Sequence, residues 1–167
     1  NGVEAYLLDG GTLTGSRTWD VTSVPYMFTG DFAVAAAAVL TVKPGVVVKL
    51  DTGRPVSVDG RLDAQGQPGQ PIVFTARADD TALGDSFHDG SSATPPRGSW
   101  EALYLSGAGS ALKNVEVRYG GNTANPGNIF NYTAAVWVRG DTTAENLVVR
   151  ASDSHGVQVA SNAVLTL

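Results

Sequence analysis

Apolar and polar residues alternate with a period of two along much of the chain, which is the period of a β-strand. The clearest run lies at residues 46–50, and shorter runs lie at 56–58, 62–64, 72–74 and 115–117. Turn-forming pairs such as Pro44-Gly45 and Gly120-Gly121 separate the runs. The one stretch that resembles a helix, residues 31–40, holds four consecutive alanines but has no polar face. The pattern therefore predicts an all-β chain of short strands.

A short motif recurs and indicates how these strands are arranged. It reads PVSVDG at 55–60, ALYLSG at 102–107 and AVWVRG at 135–140, with a looser copy, GVQVAS, at 156–161. Once the polar segments 76–99 and 122–133 are set aside as inserted loops, the copies recur about every 20 residues, a period typical of a β-solenoid. Each coil of a solenoid stacks its strands in parallel on those of the next coil. We therefore expect a single domain, residues 1–167, with two long inserted loops.

The ends of the chain carry strand patterns without a polar cap. The last residues, AVLTL at 163–167, continue the apolar alternation, and residues 1–20 form a segment that could cap the other end or donate a strand. An uncapped coil exposes unpaired backbone groups and apolar core. Two interpretations remain open. The chain is part of a longer protein or assembly, or its open ends self-associate head to tail into filaments.

Composition narrows the possible partners. The net charge is −5, with 11 basic and 16 acidic residues, which argues against nucleic acid because phosphate binding requires a basic face. No apolar run approaches the ~20 residues of a membrane span. The chain has no cysteine, which excludes disulfides, thiolate metal sites and cysteine nucleophiles.

The chain resembles the right-handed parallel β-helix repeat proteins that bacteria secrete, a group within the pectate-lyase-like β-solenoid superfamily. The resemblance runs from about residue 11 to 159 and is carried by segments 18–26, 40–49, 58–66, 71–75, 98–100 and 117–121. It implies an all-β, right-handed parallel β-helix and an extracellular or bacterial cell-surface location. Such domains occur in adhesins, in surface-layer and filament proteins, and in enzymes that act on polysaccharides.

The first inserted loop is a candidate calcium site. Its acidic residues are Asp79, Asp80, Asp85 and Asp89. Calcium prefers six to eight oxygen ligands, which closely spaced aspartates in a glycine-containing loop can supply. In relatives this loop resembles Gly-Asp-Thr-Asn-Gly-Asp-Gly, whereas residues 84–90 here read GDSFHDG. The alternative is a polar surface loop in which the aspartates form Asx turns.

Two aromatic residues are candidates for ligand binding. If Leu103 and Leu105 point inward, Tyr104 points outward, and the repeat places Trp137 beside it on the next coil. Ser57 and Gln158 would flank the pair. Adjacent aromatic rings with apolar faces and polar edges could bind a polysaccharide. The alternative is that the two rings pack on each other or lie beneath the inserted loops.

Catalytic candidates are weaker. The column of Asp59, Ser106 and Arg139 offers one carboxylate, whereas glycosidic hydrolysis needs a pair. The sequence SDSH at 152–155 has the residue types of a nucleophilic triad but not its spacing. The repeat also predicts a surface ion pair between Lys113 and Glu145. It predicts a structural stack of Asn114 and Asn146 at equivalent turns.

The sequence thus favours a non-catalytic structural or adhesive β-helix module of a bacterial cell surface, able to self-associate end to end into filaments. A polysaccharide-binding module that uses Tyr104 and Trp137 is the second interpretation. A polysaccharide lyase or hydrolase is the third. Calcium is the one cofactor that the residues suggest.

Overall fold

The computed structural model describes residues 4–86, 90, 94–122 and 134–167, and these form β-strands joined by turns and loops. No helix occurs among them, which confirms the all-β prediction. The strands are β1 (Tyr6–Leu8), β2 (Gly11–Leu13), β3 (Arg17–Trp19), β4 (Tyr26–Phe28), β5 (Phe32–Val34), β6 (Val39–Val42), β7 (Val47–Leu50), β8 (Val56–Val58), β9 (Arg61–Gln65), β10 (Ile72–Ala76), β11 (Leu103–Leu105), β12 (Ser110–Arg118), β13 (Ala134–Val138), β14 (Thr142–Arg150), β15 (His155–Val159) and β16 (Leu165–Thr166). The described residues thus contain no helix long and apolar enough to cross a membrane.

The strands form two parallel sheets. A ten-stranded sheet, here the large sheet, runs in the order β1-β4-β7-β10-β12-β9-β6-β3, with β14 beside β12 and β16 beside β14. A six-stranded sheet, the small sheet, runs β15-β13-β11-β8-β5-β2. Every strand-to-strand pairing in the described residues is parallel.

The order of the pairings shows how the chain winds. From β1 to β9 the chain visits one half of the large sheet, the small sheet and the other half of the large sheet in turn. Strands that are neighbours in sequence therefore do not pair, and each pairs instead with the strand reached one circuit later. This parallel, partly curled arrangement is compatible with a parallel β-helix or solenoid.

The large sheet bends where two long strands cross from one half to the other. Asn114 in β12 and Asn146 in β14 adopt positive φ angles of 47° and 54°. The Asn146 Nδ2 donates to Asn114 Oδ1 at 3.1 Å, and the Asn114 Nδ2 donates to the Gly66 carbonyl at 3.1 Å. The predicted stack of asparagines is confirmed, and it links three successive layers at the bend.

The small sheet confirms the register derived from the repeats. Tyr104 pairs with Ser57 on one side and with Trp137 on the other, and Trp137 pairs with Gln158. The residues on either side of these four point inward. Leu103, Leu105 and Val138, for example, are fully buried. They belong to one continuous core that runs from Tyr26 to Ala144 between the sheets.

Candidate functional site

Two long connections run from the large sheet to the small sheet, and both begin at the same edge of the fold. The segment 77–102 joins β10 of the large sheet to β11 of the small sheet, and the segment 119–133 joins β12 to β13 in the next layer. The short turn 51–55 joins β7 to β8 one layer before. We call this edge, with the turn 51–55 and the described residues of the two long connections, the loop corner. In repeat folds, insertions from successive repeats gather on one face, which is often the binding face.

The beginning of the first loop, residues 77–86, folds back over the outer surface of the large sheet. Asp79 lies fully buried there, and Thr75 Oγ1 donates to its Oδ2 at 2.6 Å. Thr81 donates to Asp79 Oδ1 from its hydroxyl at 2.5 Å and from its backbone N–H at 3.2 Å. Ala82 packs on the outward-facing Val47 and Val73. The beginning of the loop is therefore anchored rather than extended into solvent.

Arg118 joins this anchor to the neighbouring strand. Its Nη1 donates to Asp79 Oδ2 at 3.3 Å, and its Nη2 donates to Glu116 Oε2 at 2.8 Å. Arg150 Nε lies 2.7 Å from Glu116 Oε1 in the following layer. The hydrogen bond and charge of Glu116 outweigh burial and raise the pKa of Arg118 above its ordinary value.

Burial by itself would raise the pKa of Asp79. The hydrogen bonds from Thr75 and Thr81 and the charge of Arg118 outweigh that effect and hold the pKa below its ordinary value. The carboxylate is therefore ionised at neutral pH and serves as the acceptor that holds the loop to the sheet.

Lys49 lies beneath the next part of the same loop. Its side chain is fully buried, and its Nζ donates to the Gly84 carbonyl at 2.8 Å and to Ser86 Oγ at 3.0 Å. Burial lowers the pKa of Lys49, and the negative charges of Asp80, Asp79 and Asp85 oppose this effect without reversing it. The Nζ of Lys49 therefore cross-links β7 to the loop through these two hydrogen bonds.

A cleft of about 370 Å³ opens beside this network, between the turn 51–55 and the loop. Asp51, Arg77 and Asp80 contribute charged groups, and Ala78 and Pro96 contribute apolar surface. Arg77 Nη1 lies 2.8 Å from Asp51 Oδ2 in an ion pair that is about 30% exposed.

Backbone hydrogen bonds join the two walls of the cleft, which are the turn 51–55 and the end of the first loop. The Gly53 N–H donates to the Ser99 carbonyl at 3.0 Å, and Ser99 Oγ donates to the Pro96 carbonyl at 2.6 Å. Two residues later, Glu101 N–H donates to the Arg54 carbonyl at 3.1 Å. The loop therefore returns to the sheet along the turn 51–55 and closes one side of the cleft.

The predicted calcium ligands occupy different surroundings. The oxygens of Asp79 accept hydrogen bonds from Thr75, Thr81 and Arg118, one of them within an Asx turn. Asp85 Oδ2 accepts a hydrogen bond from the Gly90 N–H at 3.0 Å, and Asp80 lines the cleft.

The fourth candidate, Asp89, lies outside the described residues. Within the described part of the chain, no three His, Cys, Asp or Glu side chains form a group that could hold a metal ion. Calcium at Asp79 would have to replace the bonds from the two threonines and Arg118. The calcium site stays a prediction.

The two predicted ligand-binding aromatics lie side by side on the small sheet. Their ring centroids are 6.3 Å apart and the rings meet edge to face at 61°. Tyr104 is only 7% exposed, and its hydroxyl donates to Glu101 Oε1 at 2.7 Å. Trp137 is half-buried. Packing of the two rings on each other is the alternative that the sequence left open beside ligand binding. A role of Tyr104 and Trp137 in polysaccharide binding stays a prediction.

Sequence reasoning missed most of the loop-corner groups. Lys49 and Glu116 could have been found, because each is a charged residue inside an otherwise apolar strand, VVVKL and VEV. The Asp51–Arg77 pair carries no such signal, since both residues lie just beyond strand ends and meet only through the stacking of β7 on β10. The predicted ion pair of Lys113 with Glu145 is confirmed, at 2.8 Å.

No protein-family description, curated protein or solved structure matches the chain.

Proposed function

We propose that the chain is a right-handed parallel β-helix that serves as a non-catalytic structural or adhesive module at a bacterial cell surface. The observation that carries this proposal is the continuous parallel stacking of layers in register, from β2 to β15 in the small sheet. A stack of this kind forms an extended, stiff body in which each layer contacts only its neighbours. Such a body suits a spacer or a building block.

The charged residues support a structural role. The described groups with shifted pKa values, Lys49, Asp79 and Arg118, are all held in bonds between the loop and the large sheet. Perturbed pKa values mark catalytic sites when the groups face a cleft, but structural ion-pair networks perturb them as well. Here the bonding partners are the protein's own strands and loop, which is the structural case.

The two ends of the stack support head-to-tail association. Val157 and Val159 of β15 continue the inward rows of the small sheet, and they remain 37% and 41% exposed. At the opposite end, Gly11 and Leu13 of β2 begin the same rows. A second copy stacked on β15 through β2 would cover the valines and continue the parallel ladder. Because the two contact surfaces differ, the association would extend into a filament rather than close.

Negative-stain electron microscopy and sedimentation over a series of protein concentrations test this proposal. We expect filaments or a concentration-dependent rise in mass for the wild-type chain. Val159→Lys should abolish this association, because it places a charge at the open end of an apolar row.

Val148→Lys is the matched control. Val148 is 40% exposed but continues the outward row of Glu116, so a lysine there should leave association intact. A wild-type chain that stays monomeric at about 1 mM, where even weak contacts are populated, would overturn the self-association. Equal association of the two lysine variants would overturn the proposed contact between β15 of one copy and β2 of the next.

A further inference from the structure

The cleft at the loop corner has the size and construction of a small-molecule site. Its volume, about 370 Å³, falls within the range of ligand pockets, which is roughly 300–1,000 Å³. A second and independent observation is its position, since the long connections of two successive layers leave the sheets at this corner. Elsewhere in the described chain the connections between strands are short turns.

The walls of the cleft combine apolar surface with a few fixed polar groups. Ala78 and Pro96 provide exposed apolar surface, which suits the C–H faces of a sugar ring. Carboxylates of Asp51 and Asp80 provide acceptors, and a carboxylate has room for about four hydrogen bonds. The guanidinium of Arg77 provides donors in a planar fork. Vicinal hydroxyl groups, which both donate and accept, are complementary to this mixture.

The side chains of Asp51 and Arg77 are held in place before any ligand arrives. Asp51 Oδ1 accepts the Thr52 N–H at 2.8 Å, and Asp51 Oδ2 pairs with Arg77. The Arg77 N–H itself donates to the Leu50 carbonyl at 2.8 Å, which continues the ladder of β10 on β7. Asp80 follows directly on Asp79, the buried anchor of the loop. Groups fixed in this way bind with a smaller loss of conformational entropy.

The charge of the cleft selects among ligands. The described lining holds two carboxylates and one guanidinium, so its own charges disfavour an anionic ligand such as a uronate, phosphate or sulfate. The same lining includes no aromatic ring on which a nucleobase could stack. A neutral, polyhydroxylated ligand satisfies both constraints.

We propose that this cleft binds a neutral saccharide, one or two sugar rings of a longer glycan that lies along the loop corner. Asp51 and Asp80 accept hydrogen bonds from the sugar hydroxyls, Arg77 donates to them, and Pro96 and Ala78 contact the ring. The site is separate from Tyr104 and Trp137. It extends the adhesive part of the proposed function, and it is independent of end-to-end association.

Titrations followed by ¹H–¹⁵N NMR test the proposal. The probes are maltose, cellobiose and N,N′-diacetylchitobiose, with digalacturonate as the anionic comparison. We expect at least one neutral disaccharide to cause saturable shifts in the amide signals of Thr52, Ala78 and Gly98. Asp80→Asn should weaken that binding about tenfold or more, as expected for the loss of a charge-assisted hydrogen bond.

Two further variants separate loss of the site from loss of the fold. Ala78→Trp fills the mouth of the cleft from an exposed position and should abolish binding while the spectrum stays dispersed. Asp63→Asn, in β9 of the large sheet and away from the loop corner, should leave the affinity within about twofold.

Three results would overturn the saccharide site. The first is no saturable shift with any neutral probe up to about 10 mM, which corresponds to negligible affinity. The second is equal binding by wild type and Asp80→Asn. The third is tighter binding of digalacturonate than of every neutral disaccharide. None of these three results depends on filament formation, so failure of the saccharide site is distinguishable from failure of the structural proposal.

Discussion

Arg118 Nη1 lies 3.3 Å from Asp79 Oδ2, and this contact fastens a loop residue to a strand 39 positions later in the chain. Asp79 is fully buried and Arg118 is 22% exposed at the side chain, so the pair is largely shielded from solvent. Asp79 also holds Thr75 and Thr81, which makes its carboxylate the centre of the attachment.

The first prediction concerns this attachment. Asp79→Asn removes the charge that faces Arg118, and we expect it to lower the free energy of unfolding by about 1–3 kcal/mol, the usual range for hydrogen bonds that involve a charged group. Urea denaturation followed by circular dichroism measures the change. The control is Glu145→Gln, which breaks the exposed pair with Lys113 and should cost less than about 1 kcal/mol. Equal effects of the two substitutions would show that Asp79 is no anchor.

The second prediction concerns pH. The pKa of Asp79 is lower in the folded protein than its ordinary value of 3.8, so folding favours the charged form. The resulting stability is fully present above that ordinary value and is lost as the pH falls through the folded pKa. The difference in unfolding free energy between wild type and Asp79→Asn should therefore be constant near neutral pH and shrink on acidification below 3.8.

Unfolding curves recorded at a series of pH values from neutral to strongly acidic check this expectation. At the acidic end Asp79 is protonated and resembles asparagine in charge, so the two proteins should converge. If the difference in unfolding free energy stays constant through the acidic range, the surroundings of Asp79 do not stabilise its ionised carboxylate.

The third prediction concerns the bend of the large sheet. Asn146 has a φ of 54°, a conformation that costs an ordinary side chain about 1–2 kcal/mol but costs glycine little. Asn146→Gly should therefore lose only the hydrogen bond to Asn114, whereas Asn146→Ala should lose the bond and add the strain. We expect stability to fall in the order wild type, Asn146→Gly, Asn146→Ala in thermal unfolding. An alanine variant at least as stable as the glycine variant would contradict this explanation.

Much of the strand stacking was predictable because residues at equivalent positions of the sequence repeats pair with one another in adjacent strands. The copies around Ser57, Tyr104, Trp137 and Gln158 align by pattern, and the same residues pair across the small sheet. In a stacked fold the alternation of one strand must match that of the next, since a one-residue slip would turn apolar side chains outward. The asparagine stack and the Lys113–Glu145 pair follow from the same constraint.

The loop corner was not predictable in the same way. The path of segment 77–86 depends on which residues of the large sheet it meets, and those residues come from β7, β10 and β12. No local pattern encodes a contact such as Lys49 with Ser86, because the repeat ends where the insertion begins. Acidic residues that suggested calcium by their spacing also serve as acceptors for Thr75 and Arg118, which only the three-dimensional arrangement reveals.

The last prediction concerns a column of glycines at the turn between the small and large sheets. Gly60, Gly107 and Gly140 follow β8, β11 and β13 at equivalent positions, and their backbones lie against one another. A Cβ added at Gly107 would lie 2.0 Å from the Gly60 carbonyl oxygen and 2.3 Å from that of Asp59. Backbone atoms of an adjacent layer cannot move aside without disturbing the parallel ladder on both sides.

Gly107→Ala should therefore destabilise the protein by about 2 kcal/mol or more, the range in which overpacking disrupts a rigid site. Gly15→Ala is the control, since a Cβ there meets nothing within 4 Å. Thermal unfolding of the two alanine variants compares them directly, and the expected result is a lower transition temperature for Gly107→Ala alone. If Gly107→Ala unfolds at the wild-type temperature, the layers are not in the close backbone contact that the column of glycines requires, and the stacked architecture loses its support at this turn.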